Sequence, residues 1–344
     1  MSSQLEQEIF SQPEVVAHLL DQETRHIRDI VAKLPPFDYV LVAARGSSDH
    51  AATYAQYSWG IHAGYPVTLT APSLHTLYNR PPRMKNALVI GISQSGQSPD
   101  IITVLNEAKR QGRPTIAITN YGNSPLAATA DDVIEMHAGP ERSVAATKTY
   151  LAQLVIMMLF AAAWSGEEQR FAELQQLPEA ITIALQSSTE IAQRTERYRY
   201  MDGCVVIGRG YNYSTAFELA LKLKELTYLM ANAYSSADFR HGPIATVHEG
   251  LPTILIMPSG DTLDDMLDLT AELQQRWAEL LIISDTPQAL KLARTAFPLT
   301  TYVPEWMSPA VNIIPGQLLA LYLALTRGLD PDIPRGLNKI TRTL

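Results

Sequence analysis

Cysteine is almost absent from this 344-residue chain, with Cys204 the only one. An internal disulfide is therefore excluded, and such usage fits a reducing, cytoplasmic compartment. Basic tracts are lacking as well. The 27 Lys and Arg against 35 Asp and Glu leave a net charge of −8, which argues against nucleic acid or an anionic membrane surface as a main partner. Long apolar runs are missing too: a bilayer span needs about 20 residues. The longest run, Leu151 to Trp164, has 14 and contains Gln153, so it reads as a buried helix at a core or subunit interface. The opening residues Met1 to Glu8 are polar and acidic, with no signal-peptide pattern. The P-loop pattern is absent, and Gly208-Arg209-Gly210-Tyr211-Asn212-Tyr213 lacks the third glycine of a dinucleotide fingerprint.

What is present is a repeat. At an offset of 164 positions, Asp38–Gly46 lies over Asp202–Gly210, Ser95-Gly96 over Ser259-Gly260, Pro140-Glu141 over Pro304-Glu305, and Gln153-Leu154 over Gln317-Leu318. One constant offset over such a distance indicates two copies of one domain. The copies differ where chemistry would sit. Ser47, Ser48, Ser93, Gln94 and Ser95 face Tyr211, Asn212, Met257, Pro258 and Ser259. A hydroxyl cluster kept in one copy suggests one ligand site per pair of domains.

Short apolar runs alternate with helical patterns: Tyr39–Ala44, Val67–Thr70, Ala87–Ser93, Thr115–Thr119 and Val133–Met136, then Cys204–Gly208, Thr253–Met257, Leu280–Ser284 and Thr300–Val303. Such alternation predicts α/β domains, each a doubly wound parallel sheet covered by helices on both faces. The expected divisions are a helical lead over 1–34, interrupted at Pro13, and a first domain over 35–180. A second domain over 195–329 and a C-terminal tail over 330–344 follow.

Ala87–Ile92 reads as a buried strand running into Ser93-Gln94-Ser95-Gly96-Gln97-Ser98. Ser98 suits an N-cap and Pro99 the first helical position. A strand, a hydroxyl-rich turn and a helix N-terminus together make an anion site, because unpaired N–H groups point outward at the strand's carboxyl end. An ordinary capped turn explains Ser98-Pro99 but not the hydroxyl and amide groups before it. Ser47-Ser48 would lie beside this turn.

Tyr213 to Met230 is predicted helical. Glu218, Lys222 and Glu225 share one face of it, and a solvated salt-bridge face is the commoner explanation of such a trio. The following Ser235–Pro243 segment offers His241 before Gly242-Pro243, on a constrained turn. Carboxylate, lysine and histidine near a phosphate site suit a general base, a charge stabiliser and a ring-opening acid.

These motifs resemble the sugar isomerase (SIS) family, specifically the isomerase half of glucosamine-6-phosphate synthase. The likeness covers nearly the whole chain. It rests on Glu8–Pro13, Gly46-Ser47-Ser48, Ser93–Gly96, Ala138-Gly139-Pro140-Glu141, Val144-Ala145-Ala146-Thr147-Lys148, Ala220–Glu225, His241-Gly242-Pro243 and Pro334–Lys339. The resemblance implies that Ser47, Ser48, Ser93, Gln94, Ser95 and Ser98 hold a sugar phosphate, with Val144 and Ala146 also in the substrate-binding set. Glu225 would move a proton between C1 and C2, and Lys222 would stabilise negative charge. His241, from the neighbouring subunit of a homodimer, would open the ring. Lys339 would form an imine with the open-chain ketose. No metal or organic cofactor is implied.

Two departures bear on substrate. The synthases carry a glutaminase domain with a terminal cysteine nucleophile, whereas this chain begins Met1-Ser2-Ser3 and its cysteine lies mid-strand, so no glutamine hydrolysis is expected. Ala146 stands where a synthase serine contacts sugar, and Arg45 where a cysteine stands. Ala44–His50, Ala145–Lys148 and Leu337-Asn338-Lys339 look more like SIS-type glucosamine-6-phosphate deaminases. The expected activity is therefore an amino-sugar-phosphate deaminase/isomerase. The alternatives are a fructose-6-phosphate aminotransferase homologue, a fructosamine-phosphate deglycase, and a non-catalytic sugar-phosphate sensor.

Overall fold

The protein is described by a computed structural model covering residues 2–339. Ten strands form two five-stranded sheets in which every pairing is parallel. The first sheet comprises β1 (Tyr39–Ala43), β2 (Val67–Leu69), β3 (Ala87–Ile92), β4 (Thr115–Thr119) and β5 (Asp132–Glu135). The second comprises β6 (Gly203–Gly208), β7 (Met230–Ser235), β8 (Pro252–Ile256), β9 (Glu279–Ser284) and β10 (Thr295–Pro298). Their orders are β2-β1-β3-β4-β5 and β10-β9-β8-β6-β7. Read from the other edge, the second order reproduces the first. The order reverses between β1 and β3, and in the second sheet between β6 and β8. In open parallel sheets the crevice for ligands lies at that reversal, beyond the strands' carboxyl ends.

The chain divides into two compact units. One contains Glu14–Glu141, Lys148–Gln175 and the tail residues Asn338 and Lys339; the other contains Met1–Pro13, Arg142–Thr147 and Gln176–Leu337. We call them the first-sheet and second-sheet units.

In the first-sheet unit β3 and β4 are buried along their whole length, as apolar central strands covered on both faces must be. Leu41, Ala87, Val89 and Ala117 pack against Ile101, Val104, Leu105 and Ala108 of helix Pro99–Arg110. Helix Lys148–Ser165 is buried from Lys148 through Ala162, and Trp59 donates its indole N–H to the Met157 carbonyl at 2.9 Å. This helix and the one covering Glu305–Thr326 are long and apolar enough to cross a membrane, yet 83% of each apolar window is buried inside the protein. They are core helices by that measure.

In the second-sheet unit Val205, Ile207, Leu255, Leu280 and Ile282 pack with Met266, Leu269 and Leu273 of helix Leu263–Gln275. Cys204 is buried in β6, and loss of hydration pushes its thiol up to about 12, so the lone cysteine is a core residue without a thiolate. The lead helix breaks at Ser11, ahead of Pro13, into Gln4–Phe10 and Gln12–Lys33.

Three sequence expectations are corrected. Thr300–Val303 is not a strand; the tenth strand lies upstream, where Thr295–Pro298 pairs with Leu281–Ser284. Met230–Ser235, expected in part as helix, is an edge strand beside β6. The helix before it stops at Thr227, because Tyr228 turns into the left-handed region (φ 60°) and its N–H bonds the Lys224 carbonyl.

His62, on the last turn of helix Ser47–Ala63, is half-buried. Burial lowers it from 6.5 to about 4; Arg170 adds to this and Glu167 opposes it. The unfolded chain therefore takes up a proton as pH falls from about 6.5, while the folded chain waits until about 4. His62→Gln should flatten the stability loss across that window by about 2 kcal/mol. Urea midpoints at pH 7.5 and 4.5 check this; an unchanged slope would show that His62 does not carry it.

Candidate active site

β3 delivers Ser93 to the carboxyl end of the first sheet, and the chain turns through Ser98 before helix Pro99–Arg110. Gly96 has φ +62°, and a Cβ there would lie 2.1 Å from Ser124 Oγ, so only glycine fits. Ser98 stands at the N-cap, but its hydroxyl does not cap the helix. It meets the Ser93 hydroxyl at 3.0 Å instead. The Ser95 hydroxyl accepts from Gln97 N–H at 3.2 Å. Among the described residues no carboxylate bonds Ser93–Ser98. Ser47 and Ser48 open the helix after β1, and β1 pairs directly with β3, Ala43 opposite Gly91. The hydroxyl groups expected to hold phosphate thus lie at the two strand ends that flank the sheet's reversal. Arg45 reaches the same helix: its Nε donates at 2.9 Å to the buried carboxylate of Asp100, in the first turn after Ser98.

The duplicate turn after β8 is filled. Asp261 N–H donates to Glu305 Oε2 at 2.7 Å, and the Thr262 hydroxyl donates to Glu305 Oε1 at 2.7 Å. Ser259 donates its N–H and hydroxyl to Asp285 at 2.7 and 2.5 Å. A Cβ on Gly260 would sit 2.2 Å from Glu305 Oε2. Here carboxylates take donors whose counterparts in the first turn bond neighbouring serines, Gln97 N–H to Ser95 Oγ and the Ser98 hydroxyl to that of Ser93.

Helix Tyr213–Thr227 lies in the second-sheet unit. Its start is fixed by a buried polar network: the Asn212 amide donates to Ser308 Oγ at 2.8 Å, and Asn312 donates to Asn212 Oδ1 at 2.9 Å. Lys222 is 1% exposed and meets Glu218 Oε1 at 3.4 Å and Glu225 Oε2 at 2.5 Å; Glu218 is 0% and Glu225 21% exposed. The solvated salt-bridge reading is overturned. A buried ammonium requires paired carboxylates, and only Glu225 keeps an open side.

His241 is exposed, at the C-terminal cap of the short helix Ser236–Arg240. Gly242 (φ 139°) and Pro243 form the turn beyond it. Val144 and Ala146 are half-buried in a loop whose Arg142 and Ser143 N–H groups donate to Glu8 at 2.6 and 3.3 Å. On the tail, Asp332 accepts from Gln4 and Leu5 N–H at 2.8 Å each. Arg335 stacks over the Tyr228 ring at 4.6 Å. Lys339, in the first-sheet unit, donates to Glu141 Oε2 at 2.7 Å. The tail expectation from Ile340 onward lies outside the described residues.

Glu141 was given no role by sequence reasoning. Its signal was the repeated Pro-Glu pair, which places it opposite Glu305. Among the described residues no group of three or more His, Cys, Asp or Glu is arranged to hold a metal.

The SIS domain profile matches residues 38–163 and 202–327. The starts differ by 202 − 38 = 164, the offset of the internal repeat. The chain belongs to the SIS family. It is 32% identical over 342 residues to a glutamine–fructose-6-phosphate aminotransferase (isomerizing) from Thermococcus kodakarensis, covering 96% of this chain and 56% of that protein. The chain thus spans about half the length of the curated relatives it matches. The C-terminal domain of glucosamine-fructose-6-phosphate aminotransferase from Francisella tularensis superposes with a TM-score of 0.87 at 27% identity, covering 97% and 99% of the two chains. A glucosamine-6-phosphate deaminase from Thermotoga maritima has a TM-score of 0.80 at 22% identity over 99% and 100%, a likeness of fold.

Lys222→Ala leaves two carboxylates, one of them fully buried, without their cation and should cost about 3–5 kcal/mol. Glu218→Gln combined with Lys222→Met should recover most of that loss in urea unfolding. Equal stability of Lys222→Ala and the unaltered protein would show that the triad does not hold the helix.

Proposed function

We propose that this chain is a phosphosugar aldose–ketose isomerase acting on amino-sugar phosphates, converting glucosamine 6-phosphate and water into fructose 6-phosphate and ammonia. The observation that carries the reading is Glu225, an accessible carboxylate 2.5 Å from a buried ammonium. A base backed by a fixed cation suits a reaction in which a C–H proton leaves and negative charge grows nearby. Further support comes from the hydroxyl-rich turn after β3 and from membership of the SIS family.

In this reading Ser47, Ser48, Ser93, Gln94, Ser95 and Ser98 hold the phosphate, and His241 serves ring opening in the neighbouring subunit of a homodimer. Glu225 moves the C2 proton to C1, which turns the 2-amino aldose into a C2 imine of the ketose. Water hydrolyses that imine to ketone and ammonia, so atoms balance without a redox partner. Lys222 stabilises the enediol-type charge. Lys339 condenses with the open-chain ketose, since a lysine amine is a good carbonyl nucleophile.

A second reading runs the same steps from fructose 6-phosphate and ammonia, and the 32% identity to an aminotransferase favours it. Ammonia release from glucosamine 6-phosphate is the test. We expect Glu225→Gln to lose about 10²–10⁴-fold. Release no faster than in that variant removes the deaminase. Glucosamine 6-phosphate formed only from fructose 6-phosphate and ammonia selects the second reading, and turnover in neither direction with sugar-phosphate binding intact returns the chain to a sensor.

A further inference from the structure

Glu141 occupies in the first-sheet unit the repeat position that Glu305 occupies in the second, 305 − 164 = 141. Glu305 spends both carboxylate oxygens on its own turn, at Asp261 N–H and Thr262 Oγ1. Glu141 is turned to different work. Thr149 donates to it twice, from N–H to Oε1 at 3.1 Å and from its hydroxyl to Oε2 at 2.7 Å. Oε2 also receives the Lys339 ammonium at 2.7 Å, with the Glu141 side chain 0% and that of Lys339 23% exposed. Thr149 lies on the first turn of the buried helix Lys148–Ser165, so the carboxylate is held by one of the most deeply buried elements of the unit. Lys339 is the opposite case. It follows the exposed residues Leu337 and Asn338, and Glu141 is its only partner among the described residues.

Resting on the imine assignment of the preceding section, we propose that Glu141 is a positioning residue for Lys339 that also accepts its proton. Lysine is rich in rotamers, and ordering it at the end of an exposed tail costs about 1.5–2 kcal/mol of side-chain entropy. A carboxylate that is already held meets that cost before substrate arrives. The amine must also be neutral to attack. The ammonium proton passes to Glu141, and the freed lone pair forms the N–C bond at the ketose C2. The carbonyl oxygen leaves as water, taking two protons in all, and the product is C=N. Nothing is oxidised or reduced. Carboxylate and ammonium become carboxylic acid and amine, so no isolated charge is left in a buried place.

Borohydride trapping with fructose 6-phosphate, followed by peptide mapping of the full chain, tests this. In the unaltered protein the reduced sugar label should fall on Lys339. Label on Lys148 or Lys222, or no label, overturns the imine assignment and this inference with it. With label on Lys339 established, the isosteric Glu141→Gln should slow labelling at least about tenfold, equivalent to ~1.4 kcal/mol of barrier. Fructose 6-phosphate affinity should stay near wild type even where the urea midpoint falls with the lost ion pair, and Glu141→Asp should recover part of the rate. A merely structural glutamate would lower affinity and stability together. Thr149→Val, which removes the hydroxyl orienting Oε2, should slow labelling several-fold and serves if Glu141→Gln does not fold. Wild-type labelling rates in either folded variant overturn the positioning role while leaving the imine intact.

Discussion

A parallel sheet ends in turns whose N–H groups point outward with no strand to receive them, and helices that start there add the positive end of their dipoles. Something anionic must answer that field. The two copies in this chain answer it differently. After β8 the answer is internal, since Glu305 and Asp285 take the N–H and hydroxyl groups of Ser259–Thr262. After β3 the hydroxyl groups of Ser93 and Ser98 bond each other, and the one acidic residue of the first helical turn, the buried Asp100, accepts from Ile101 N–H. One scaffold therefore yields a turn held by carboxylates from distant segments and a turn held by its own serines. Both copies carry glycine here for a steric reason: a Cβ on Gly96 would collide with Ser124, and one on Gly260 with Glu305.

Burial governs the helix Tyr213–Thr227 in the same way. An ammonium at 1% exposure is tolerable only between two carboxylates, since an isolated charge in that environment costs several kcal/mol. Glu218 is the silent member, wholly buried and spent on neutralising Lys222. Glu225 lies one turn beyond Lys222 and two beyond Glu218, with 21% of its side chain exposed. Two glutamates, four positions before and three after one lysine, thus differ in depth.

Much of this was legible in the sequence. The central strands are near-continuous apolar runs, and the 164-residue offset announced two sheets of one order before any coordinate. The edges were not legible. β7, Met-Ala-Asn-Ala-Tyr-Ser, mixes exposed and buried positions with residues of low strand propensity. Its place is set by parallel pairing with β6, not by its own composition. β10 has only four residues, and β-branched Thr300 and Val303 just downstream carried an equal local signal; register with β9 decided between them. Tyr228 ended its helix in a conformation usually left to glycine, which no residue type announced. At the candidate site, the strand–turn–helix around Ser93–Pro99 and the shared helix face of Glu218, Lys222 and Glu225 were readable from spacing. The burial of Lys222 and the partner of Arg45 depend on contacts between distant segments, such as Arg45 with Asp100.

The Pro-Glu pair repeated at 140–141 and 304–305 shows how a duplicated residue changes role without changing identity. Its carboxylate is needed in the second copy to satisfy backbone donors, and any acceptor of that charge and reach would serve. In the first copy the serines of the turn take the corresponding donors themselves, and the glutamate bonds elsewhere. Thr149, two residues into the helix Lys148–Ser165, takes hold of it through both N–H and hydroxyl. Lys339 adds a cation to the same carboxylate. The residue that closes a turn in the second copy thus receives the tail lysine in the first, Glu141 and Lys339 lying in one unit.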